Sequence, residues 1–327
     1  MKTFKAFVLH NTDPVKTSIE EWGVDQLSTD GVLIKIAYSS VNYKDGIVGH
    51  SGMLAEWTPL IPGIDLAGTV LESTDSRFKE GDEVIATSYQ IGTGHHGGFS
   101  ELARIPADWV VQKPDGLSLR ESMILGTAGF TAALSILQLE KNGLTPEQGP
   151  VLVAGASGGV GSLSVNMLAN RGYEVTAGTG KEQEHDYLKS LGATNVIHRD
   201  ELIDEEGKST RSTRWAGAID PVGGKTTQYI ISTLSYGASV ATSGLAGGLD
   251  VSTDVRPFIG RGINWLGIDS VRCPMSIRQQ VWEHLASDLK PTSLEAELSQ
   301  EITLEQLPTT FADILEGKVK GRIIVKL

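Results

Sequence analysis

The stretch Val151–Ser162, which reads VLVAGASGGVGS, decides how this chain folds. An apolar run ends at Ala154, glycines recur at positions 155, 158 and 161, and a helix-like segment follows. Glycines at this spacing let the backbone turn sharply and approach a pyrophosphate, while N–H groups and the positive dipole of the helix start face the anion. A tight turn needed only for packing is the alternative. Because strand, glycines, helix and second strand follow in order, the stretch predicts a dinucleotide site.

The chain after Pro150 alternates between strands and helices. The expected strands are Val151–Ala154, Glu174–Ala177, Asn195–His198, Ala218–Asp220, Ser239–Thr242 and Asn264–Val271, and the expected helices are Val160–Arg171, Glu182–Leu191, Lys225–Leu234 and Ser276–Leu289. Strands alternating with helices of this length predict right-handed crossovers and a doubly wound parallel sheet, which is the Rossmann arrangement of an α/β protein.

The end of the second strand distinguishes the two nicotinamide cofactors. An acidic residue about 20 positions after the glycines would hold a free ribose 2′-hydroxyl. This chain instead has Thr179, Gly180 and Lys181 there. A hydroxyl, a flexible backbone and an ammonium suit a 2′-phosphate. The alternative is that Lys181 starts an exposed helix beside Glu182 and Glu184. The pattern favours NADPH.

The first part of the chain reads as short strands cut by turns, which predicts an all-β module. The expected strands are Lys5–His10, Val32–Ser39, Asp65–Glu72, Glu83–Thr87, Ser100–Ile105 and Val110–Lys113, followed by helical segments Leu119–Leu125 and Gly129–Leu139. A closing helix, Leu304–Glu316, and strand, Arg322–Leu327, are not needed for the parallel sheet. We therefore expect a β domain over residues 1–120, to which 295–327 return, and a nucleotide-binding domain over 121–294.

Composition limits the partners and the compartment. The formal net charge of the 327 residues is −12, which would repel nucleic acid and anionic membrane surfaces. The lone Cys273 excludes an intramolecular disulfide and thiolate metal cages, and it suits a reducing cytosol. The first residues lack signal-peptide features and no apolar run predicts a bilayer span. The expected protein is cytoplasmic, with neither nucleic acid nor a membrane as partner.

Several segments together resemble the medium-chain dehydrogenase/reductase superfamily over nearly the whole chain. They are Val41–Gly46, Pro59–Val70, Lys79–Val84 and Gly126–Ala132. More narrowly, the chain is similar to the YhdH/YhfP subfamily, whose members are described as quinone oxidoreductases and, for some, NADPH-dependent acryloyl-CoA reductases. The segments that carry this likeness are Ser40–Gly46, His95–Gly98, Gly244–Gly248 and Gly267–Val271.

The zinc ligands of the alcohol dehydrogenases in this superfamily are missing. Gly63-Ile64-Asp65 stands where those enzymes carry Gly-His-Glu, and the lone cysteine lies far downstream. His95 and His96 lie in a glycine-rich loop, where adjacent side chains usually point apart and where loop flexibility is expected. We therefore expect no metal site and a reaction without Lewis-acid polarisation by zinc.

The resemblance implies a GroES-like β module with substrate contacts, a Rossmann domain and an active site between them. It also implies a homodimer, with Asn264–Val271 as an edge strand that joins two sheets; an ordinary edge covered by a loop is the alternative. The cofactor contacts that it implies are Tyr43, Ser157, Gly158, Gly159, Val160, Thr179, Gly180, Lys181, Leu245, Ser270 and Arg322.

Tyr43, Asn42 and Asp45 are the candidate catalytic residues. The phenol of Tyr43 could donate a hydrogen bond to an acceptor carbonyl, or the residue could be a buried structural tyrosine. Asn42 and Asp45 would orient the loop or the acceptor. Three functions remain open: NADPH-dependent reduction of an enoyl thioester such as acryloyl-CoA, reduction of a quinone, or NADPH binding without turnover for sensing or structure.

Overall fold

The computed structural model describes residues 3–10, 12, 14–203, 206–292 and 294–327. The chain divides into two compact units. Unit 1 comprises Met1–Thr127, Val271–Ala286 and Glu297–Leu327, and unit 2 comprises Ala128–Ser270 and Ser287–Ala296.

The strands and helices are numbered in chain order. The strands are β1 (Thr3–His10), β2 (Lys16–Gly23), β3 (Val32–Val41), β4 (Asp65–Ser73), β5 (Glu83–Thr87), β6 (Leu102–Ile105), β7 (Val110–Gln112), β8 (Val151–Val153), β9 (Val175–Thr179), β10 (Asn195–His198), β11 (Trp215–Asp220), β12 (Leu234–Thr242), β13 (Asn264–Gly267), β14 (Leu298–Ile302) and β15 (Arg322–Lys326). The helices are α1 (Tyr43–Ser51), α2 (Leu119–Lys141), α3 (Gly159–Asn170), α4 (His185–Ser190), α5 (Gly224–Thr233), α6 (Arg256–Arg261), α7 (Met275–Leu285), α8 (Leu294–Glu297) and α9 (Leu307–Leu315).

Unit 1 is built on a β-sheet that, over the described residues, has seven strands in the order β14-β15-β3-β4-β5-β7, with β6 also paired to β3. The C-terminal strand β15 pairs antiparallel with β3, so that Ile324 lies opposite Ser40. Apolar side chains of alternating strand positions, such as Val32, Ile34 and Leu66, are fully buried in the core. β1 and β2 form a separate antiparallel pair, and β2 was not expected because its residues are mostly polar and exposed.

Unit 1 also includes α7, although the sequence boundary places Val271–Ala286 with the nucleotide-binding domain. The reason is a buried arginine. Arg278 is fully buried, and its Nη1 donates to the Thr87 carbonyl at 3.3 Å and to Thr87 Oγ1 at 3.0 Å. Its guanidinium also lies 4.4 Å from the ring centre of Tyr89. A buried charge needs such acceptors, and the last residue of β5 supplies both of them.

Unit 2 confirms the doubly wound parallel sheet. Over the described residues it has six strands in the order β10-β9-β8-β11-β12-β13, and every neighbouring pair is parallel. Numbered within the unit, this is the Rossmann order 3-2-1-4-5-6. The strand order reverses at β8, so that the carboxyl ends of β8 and β11 flank the crevice where such sheets bind ligands.

Helix α2 is interrupted at Gly126, where φ is 52° and ψ is −155°. This agrees with the two helical segments that the sequence predicts on either side. Among the described residues, α2 alone is long and apolar enough to cross a membrane by length and composition, with a mean hydropathy of 1.5 in its most apolar window. However, 83% of that window is buried inside the protein, as in a core helix.

Candidate functional site

The loop after β8 has the geometry of an anion-binding turn. Gly155 has a φ of +55°, and a Cβ atom placed on Gly161 would lie 2.4 Å from the Gly155 carbonyl oxygen. Neither position therefore admits a side chain without strain. Helix α3 begins at Gly159, and its first backbone bond runs from Ser162 N to Gly158 O at 2.8 Å. Three backbone N–H groups come before this bond in the helix, those of Gly159, Val160 and Gly161. Such groups at a helix start can donate hydrogen bonds to an anion.

A pair of buried hydroxyls ties this loop to the end of β9. Ser157 Oγ lies 3.0 Å from Thr179 Oγ1, and both side chains are buried. Thr179 Oγ1 also accepts from the backbone N–H of Lys181 at 3.2 Å. Burial lowers the pKa of Lys181, and the nearby carboxylate of Glu184 opposes that effect. The structure therefore brings together the residues at 157–160 and 179–181 that the sequence proposes as cofactor contacts.

Arg199 is a second cation at this strand end, and sequence reasoning missed it. A Cβ atom placed on Gly180 would lie 2.6 Å from Arg199 Cδ, so the arginine side chain passes directly beside Gly180. The side chain is 74% exposed. Strand register places the arginine there. His198 of β10 lies opposite Thr179 of β9, so the residues that follow them, Arg199 and Gly180, are neighbours. The sequence signal that could have located it is an arginine directly after β10, the third strand of the Rossmann order.

The remaining two proposed contacts in unit 2 lie in the loops after β12 and β13. Leu245 is exposed, and its turn packs on the loop after β11, where Gly247 N donates to Val222 O at 2.7 Å. Val222 in turn lies against Gly155. The 244–248 turn and the glycine loop are therefore neighbours. Ser270 is half-buried and follows β13, which ends at Gly267 instead of Val271.

In unit 1, the predicted catalytic residues lie at the start of α1. Asn42 is the residue that precedes the helix, Tyr43 is its first residue, and Asp45 lies within the first turn. The backbone N–H of Asn42 donates to Asp45 Oδ2 at 2.8 Å. Tyr43 is 43% exposed, whereas Asp45 is completely buried. The helix start thus presents the tyrosine ring outward and keeps the carboxylate inside.

Asp65, the first residue of β4, accepts hydrogen bonds from two segments, the end of β3 with the residue after it, and Thr127. Its Oδ2 accepts from Ser40 Oγ at 2.6 Å, from Asn42 Nδ2 at 2.8 Å and from Thr127 N at 2.8 Å. Its Oδ1 accepts from Thr127 Oγ1 at 2.5 Å. These donors satisfy a buried carboxylate that would otherwise be costly.

Arg322 lies beside this carboxylate at the start of β15 and is only 3% exposed. Its Nε donates to Ile124 O at 2.9 Å and its Nη1 to Val41 O at 3.3 Å, while Nη2 has no partner among the described residues. A Cβ atom on Gly126 would lie 2.9 Å from Nη2 and 2.6 Å from Asp65 Oδ2. Only glycine fits there. Burial lowers the pKa of Arg322, and the charges of Asp65 and Asp45 oppose this.

Asp45 has the most perturbed carboxyl of this cluster. Burial, followed by the neighbouring charge of Asp65, raises the pKa of Asp45 to about 7. The hydrogen bonds from Asn42 and Ile64 act in the opposite direction. Desolvation and a neighbouring like charge both disfavour the ionised form of a carboxyl group. Ionising Asp45 in the folded protein therefore costs free energy.

The histidine pair is packed by aromatic rings. The ring of His96 lies edge-on between Trp22 and Trp57, with centroid distances of 5.1 and 4.7 Å. Burial lowers the pKa of His96 to about 4. His95 Nδ1 lies 2.8 Å from the His96 carbonyl oxygen. This packing gives the loop a structural role that the sequence did not indicate.

The donor set does not fit a zinc ion. Within the described part of the chain, no group of three or more His, Cys, Asp or Glu side chains is placed to hold a metal. At Asp65, both carboxylate oxygens already accept hydrogen bonds from protein donors. The side chains beside Asp65, those of Asn42 and Ile64, are an amide and an alkyl group, and neither is a usual zinc ligand.

Comparison with known proteins gives a consistent family. Residues 28–115 match the alcohol dehydrogenase GroES-like domain, and residues 159–287 match the family described as zinc-binding dehydrogenase. The chain is 53% identical to YhfP of Bacillus subtilis, named provisionally as a quinone oxidoreductase, over 97% of this chain and 96% of YhfP. It is 47% identical to the acrylyl-CoA reductase AcuI of Ruegeria pomeroyi, over 95% of this chain and 94% of AcuI.

Solved structures agree with these sequence matches. The crystal structure of Bacillus subtilis YhfP with NAD bound superposes with a TM-score of 0.97 at 51% identity and covers 100% of both chains. The YhdH oxidoreductase of Salmonella enterica in complex with NADP gives a TM-score of 0.96 at 42% identity and covers 99% of both chains. The GroES-like and Rossmann assignments are confirmed, and the chain is an NAD(P)-dependent oxidoreductase for small-molecule substrates. It belongs to the YhdH/YhfP subfamily of the medium-chain dehydrogenase/reductase superfamily.

Proposed function

We propose that the chain reduces a small conjugated acceptor with hydride from NADPH and without a metal ion. The observation that carries this proposal is the start of α1, where Tyr43 is exposed on a turn that buried carboxylates hold from inside. A fixed hydrogen-bond donor is what a metal-free site needs to stabilise negative charge on a carbonyl oxygen. The acceptor is a 2-enoyl thioester such as acryloyl-CoA, or a quinone.

Tyr43 is the proposed donor to the acceptor's oxygen. When bound, the cofactor supplies a hydride to the electron-poor carbon of the acceptor. Negative charge then builds on the acceptor's oxygen, and the Tyr43 hydroxyl donates a hydrogen bond to it. Solvent supplies the proton that completes the reduction. Asn42 and Asp45 keep the tyrosine in place.

The glycine loop and the two strand ends beside it are the proposed cofactor site. The pyrophosphate is assigned to the N–H groups after Gly158, and Leu245 and Ser270 are assigned to the same cofactor. Lys181 and Arg199 would pair with a 2′-phosphate, with Thr179 as a hydroxyl donor, and residues 178–181 at the strand end include no carboxylate. YhdH structures contain NADP, whereas the YhfP structure contains NAD. The two cations beside Gly180 favour NADPH here.

Arg322 is proposed as an anion contact of the bound cofactor or acceptor. Its Nη2 is buried and has no hydrogen-bond partner among the described residues. A guanidinium whose third nitrogen is unsatisfied favours an anionic or carbonyl ligand.

A homodimer is proposed through β13. This strand is the edge of the parallel sheet, and Trp265 on it is 43% exposed. The apolar side chains of Tyr236 in β12 and Ile259 in α6 are also exposed. An open edge with apolar neighbours favours antiparallel pairing with a second copy across a two-fold axis.

The function is tested by NADPH oxidation with a panel of acceptors. The panel contains acryloyl-CoA, crotonyl-CoA, small quinones and a control without acceptor. Turnover with the enoyl thioesters alone selects the first acceptor class, which the name of AcuI supports, and turnover with quinones alone selects the second. NADPH binding without turnover on any acceptor would overturn the proposal in favour of a non-catalytic binding protein.

A further inference from the structure

Asp45 is a buried carboxylate that accepts hydrogen bonds from three donors. Its Oδ2 accepts from the Asn42 backbone N–H at 2.8 Å and from Asn42 Nδ2 at 3.2 Å. Its Oδ1 accepts from the backbone N–H of Ile64 at 2.9 Å. An ionised carboxylate is acceptor-only and suits three donors, whereas a protonated carboxyl has one acceptor site fewer and an O–H that is itself a donor. The three donors therefore favour the ionised form, whereas burial and the charge of Asp65 oppose it.

These bonds join two segments that are distant in sequence. Asn42 follows β3 and precedes Tyr43 on α1, while Ile64 precedes β4. Asp45, inside the first turn of α1, accepts a backbone hydrogen bond from each of these segments. Asp45 therefore links the turn that carries Tyr43 to the residue before β4, alongside the hydrogen bond from Asn42 Nδ2 to Asp65.

We infer that Asp45 is a positioning residue for Tyr43: its ionised carboxylate fixes the turn at Asn42 and Ile64, and protonation releases that turn. This inference rests on the proposed role of Tyr43 as hydrogen-bond donor to the acceptor. It predicts that hydride transfer weakens as the pH falls through neutrality, without loss of cofactor binding.

The groups around Asp45 make such a titration accessible. Asp65 of β4 and Arg322 of β15 are the charged groups that face it, and Glu297 acts on Arg322. Helix α9 packs against α1 through apolar Phe311 and Ile314 at Gly49 and Gly46 and contributes no charge there. Because burial and Asp65 raise the pKa of Asp45 to about 7, its ionised fraction changes across the neutral range.

The matched variants are Asp45→Asn and Glu121→Gln. Asn keeps the size of the side chain but replaces one acceptor by a donor. Glu121 is also a carboxylate in the first turn of a helix, at the exposed start of α2, where its Oε2 accepts from Ser118 N at 2.9 Å. It lies outside the proposed site and controls for loss of a helix-start carboxylate.

The direct readout is NMR of backbone amides in protein labelled with ¹⁵N at isoleucine and tyrosine, titrated from about pH 5.5 to pH 8.5. In the wild type and in Glu121→Gln, the amide resonances of Tyr43 and Ile64 should move together with a midpoint near the pKa of Asp45, about 7. In Asp45→Asn they should stay constant. Stationary amides in the wild type, or the same titration in Asp45→Asn, would overturn the inference.

Single-turnover kinetics adds the functional readout. The hydride-transfer rate of the wild type should fall at low pH, and Asp45→Asn should be slower by about tenfold or more and independent of pH. The NADPH dissociation constant should change by no more than about twofold in either case. A pH-dependent rate in Asp45→Asn like that of the wild type would also overturn the inference. If no acceptor is reduced at all, the proposed function fails, while the amide titration still decides the role of Asp45.

Discussion

Replacing Asp45 with Asn should flatten the dependence of the stability of unit 1 on pH. In the folded protein, burial and then the charge of Asp65 raise the pKa of Asp45 to about 7, whereas the ordinary value for an aspartate is 3.8. Between these values the folded chain binds a proton that the unfolded chain has released. The free energy of unfolding therefore falls as the pH rises through this window, and it becomes constant above it.

The size of this effect follows from the two pKa values. The full difference corresponds to about 4 kcal/mol, of which about 3 kcal/mol is lost between pH 5 and pH 8. For a unit of this size, that loss corresponds to roughly 8 °C in the unfolding midpoint. Asp45→Asn has no proton to release at this site, so it should lack this component and gain stability relative to the wild type as the pH rises.

The assay is thermal unfolding of the wild type, Asp45→Asn and Glu121→Gln at several pH values between about 5 and 8 and at fixed ionic strength. The quantity to compare is the difference between variant and wild-type midpoints, because titrations elsewhere in the chain cancel in it. For Asp45→Asn the difference should change steadily with pH, and for Glu121→Gln it should stay flat. Parallel curves for the wild type and Asp45→Asn would refute the assignment of a raised pKa to Asp45.

Four further predictions address the cofactor, the donor, the metal and the backbone. Tyr43→Phe should lower kcat by about 10²-fold with an unchanged NADPH dissociation constant, since one oxyanion donor is lost; an unchanged kcat with rate-limiting hydride transfer would leave Tyr43 as a cofactor contact only. Lys181→Ala and Arg199→Ala should each weaken NADPH binding by about 1.5–3 kcal/mol more than NADH binding in calorimetric titrations. Lys189→Ala, at an exposed residue, is the control. Equal weakening of binding for both cofactors would contradict the assignment of these cations to the 2′-phosphate. Activity should persist in a strong chelator and purified protein should hold no stoichiometric zinc, and loss on chelation that zinc restores would reverse this conclusion. Gly126→Ala should destabilise unit 1 by more than about 1 kcal/mol in urea titrations, because its φ is +52° and the new Cβ would lie 2.6 Å from Asp65 Oδ2; wild-type stability would show that the backbone relaxes there.

The elements that the sequence identified are those whose signals are local. The bounds expected for Glu83–Thr87 and Asn195–His198 are those of β5 and β10, because apolar runs between turn residues define a strand without help from elsewhere. The glycines at 155, 158 and 161 located the turn between β8 and α3 for the same reason, since Gly155 has a positive φ and Gly161 has no room for a side chain.

Helix α1 shows where local signals end. Its sequence contains Gly46 and Gly49, which disfavour an isolated helix. In the structure a Cβ on Gly49 would lie 2.2 Å from the ring of Phe311, and one on Gly46 would lie 2.8 Å from Ile314. The glycines are there to let α9 approach, and only tertiary packing repays their cost.

The sequence by itself determined the Rossmann unit, the β module, the absence of the alcohol dehydrogenase ligand pattern and the position of Tyr43 beside Asn42 and Asp45. Tertiary structure alone decided which charges meet. Arg199 reaches Gly180 through strand register, and Asp65 gathers donors from Asn42 and Thr127, which are 23 and 62 residues away. Burial then sets the pKa of Asp45. Desolvation and charge proximity depend on distances in space, and a linear pattern does not contain those distances.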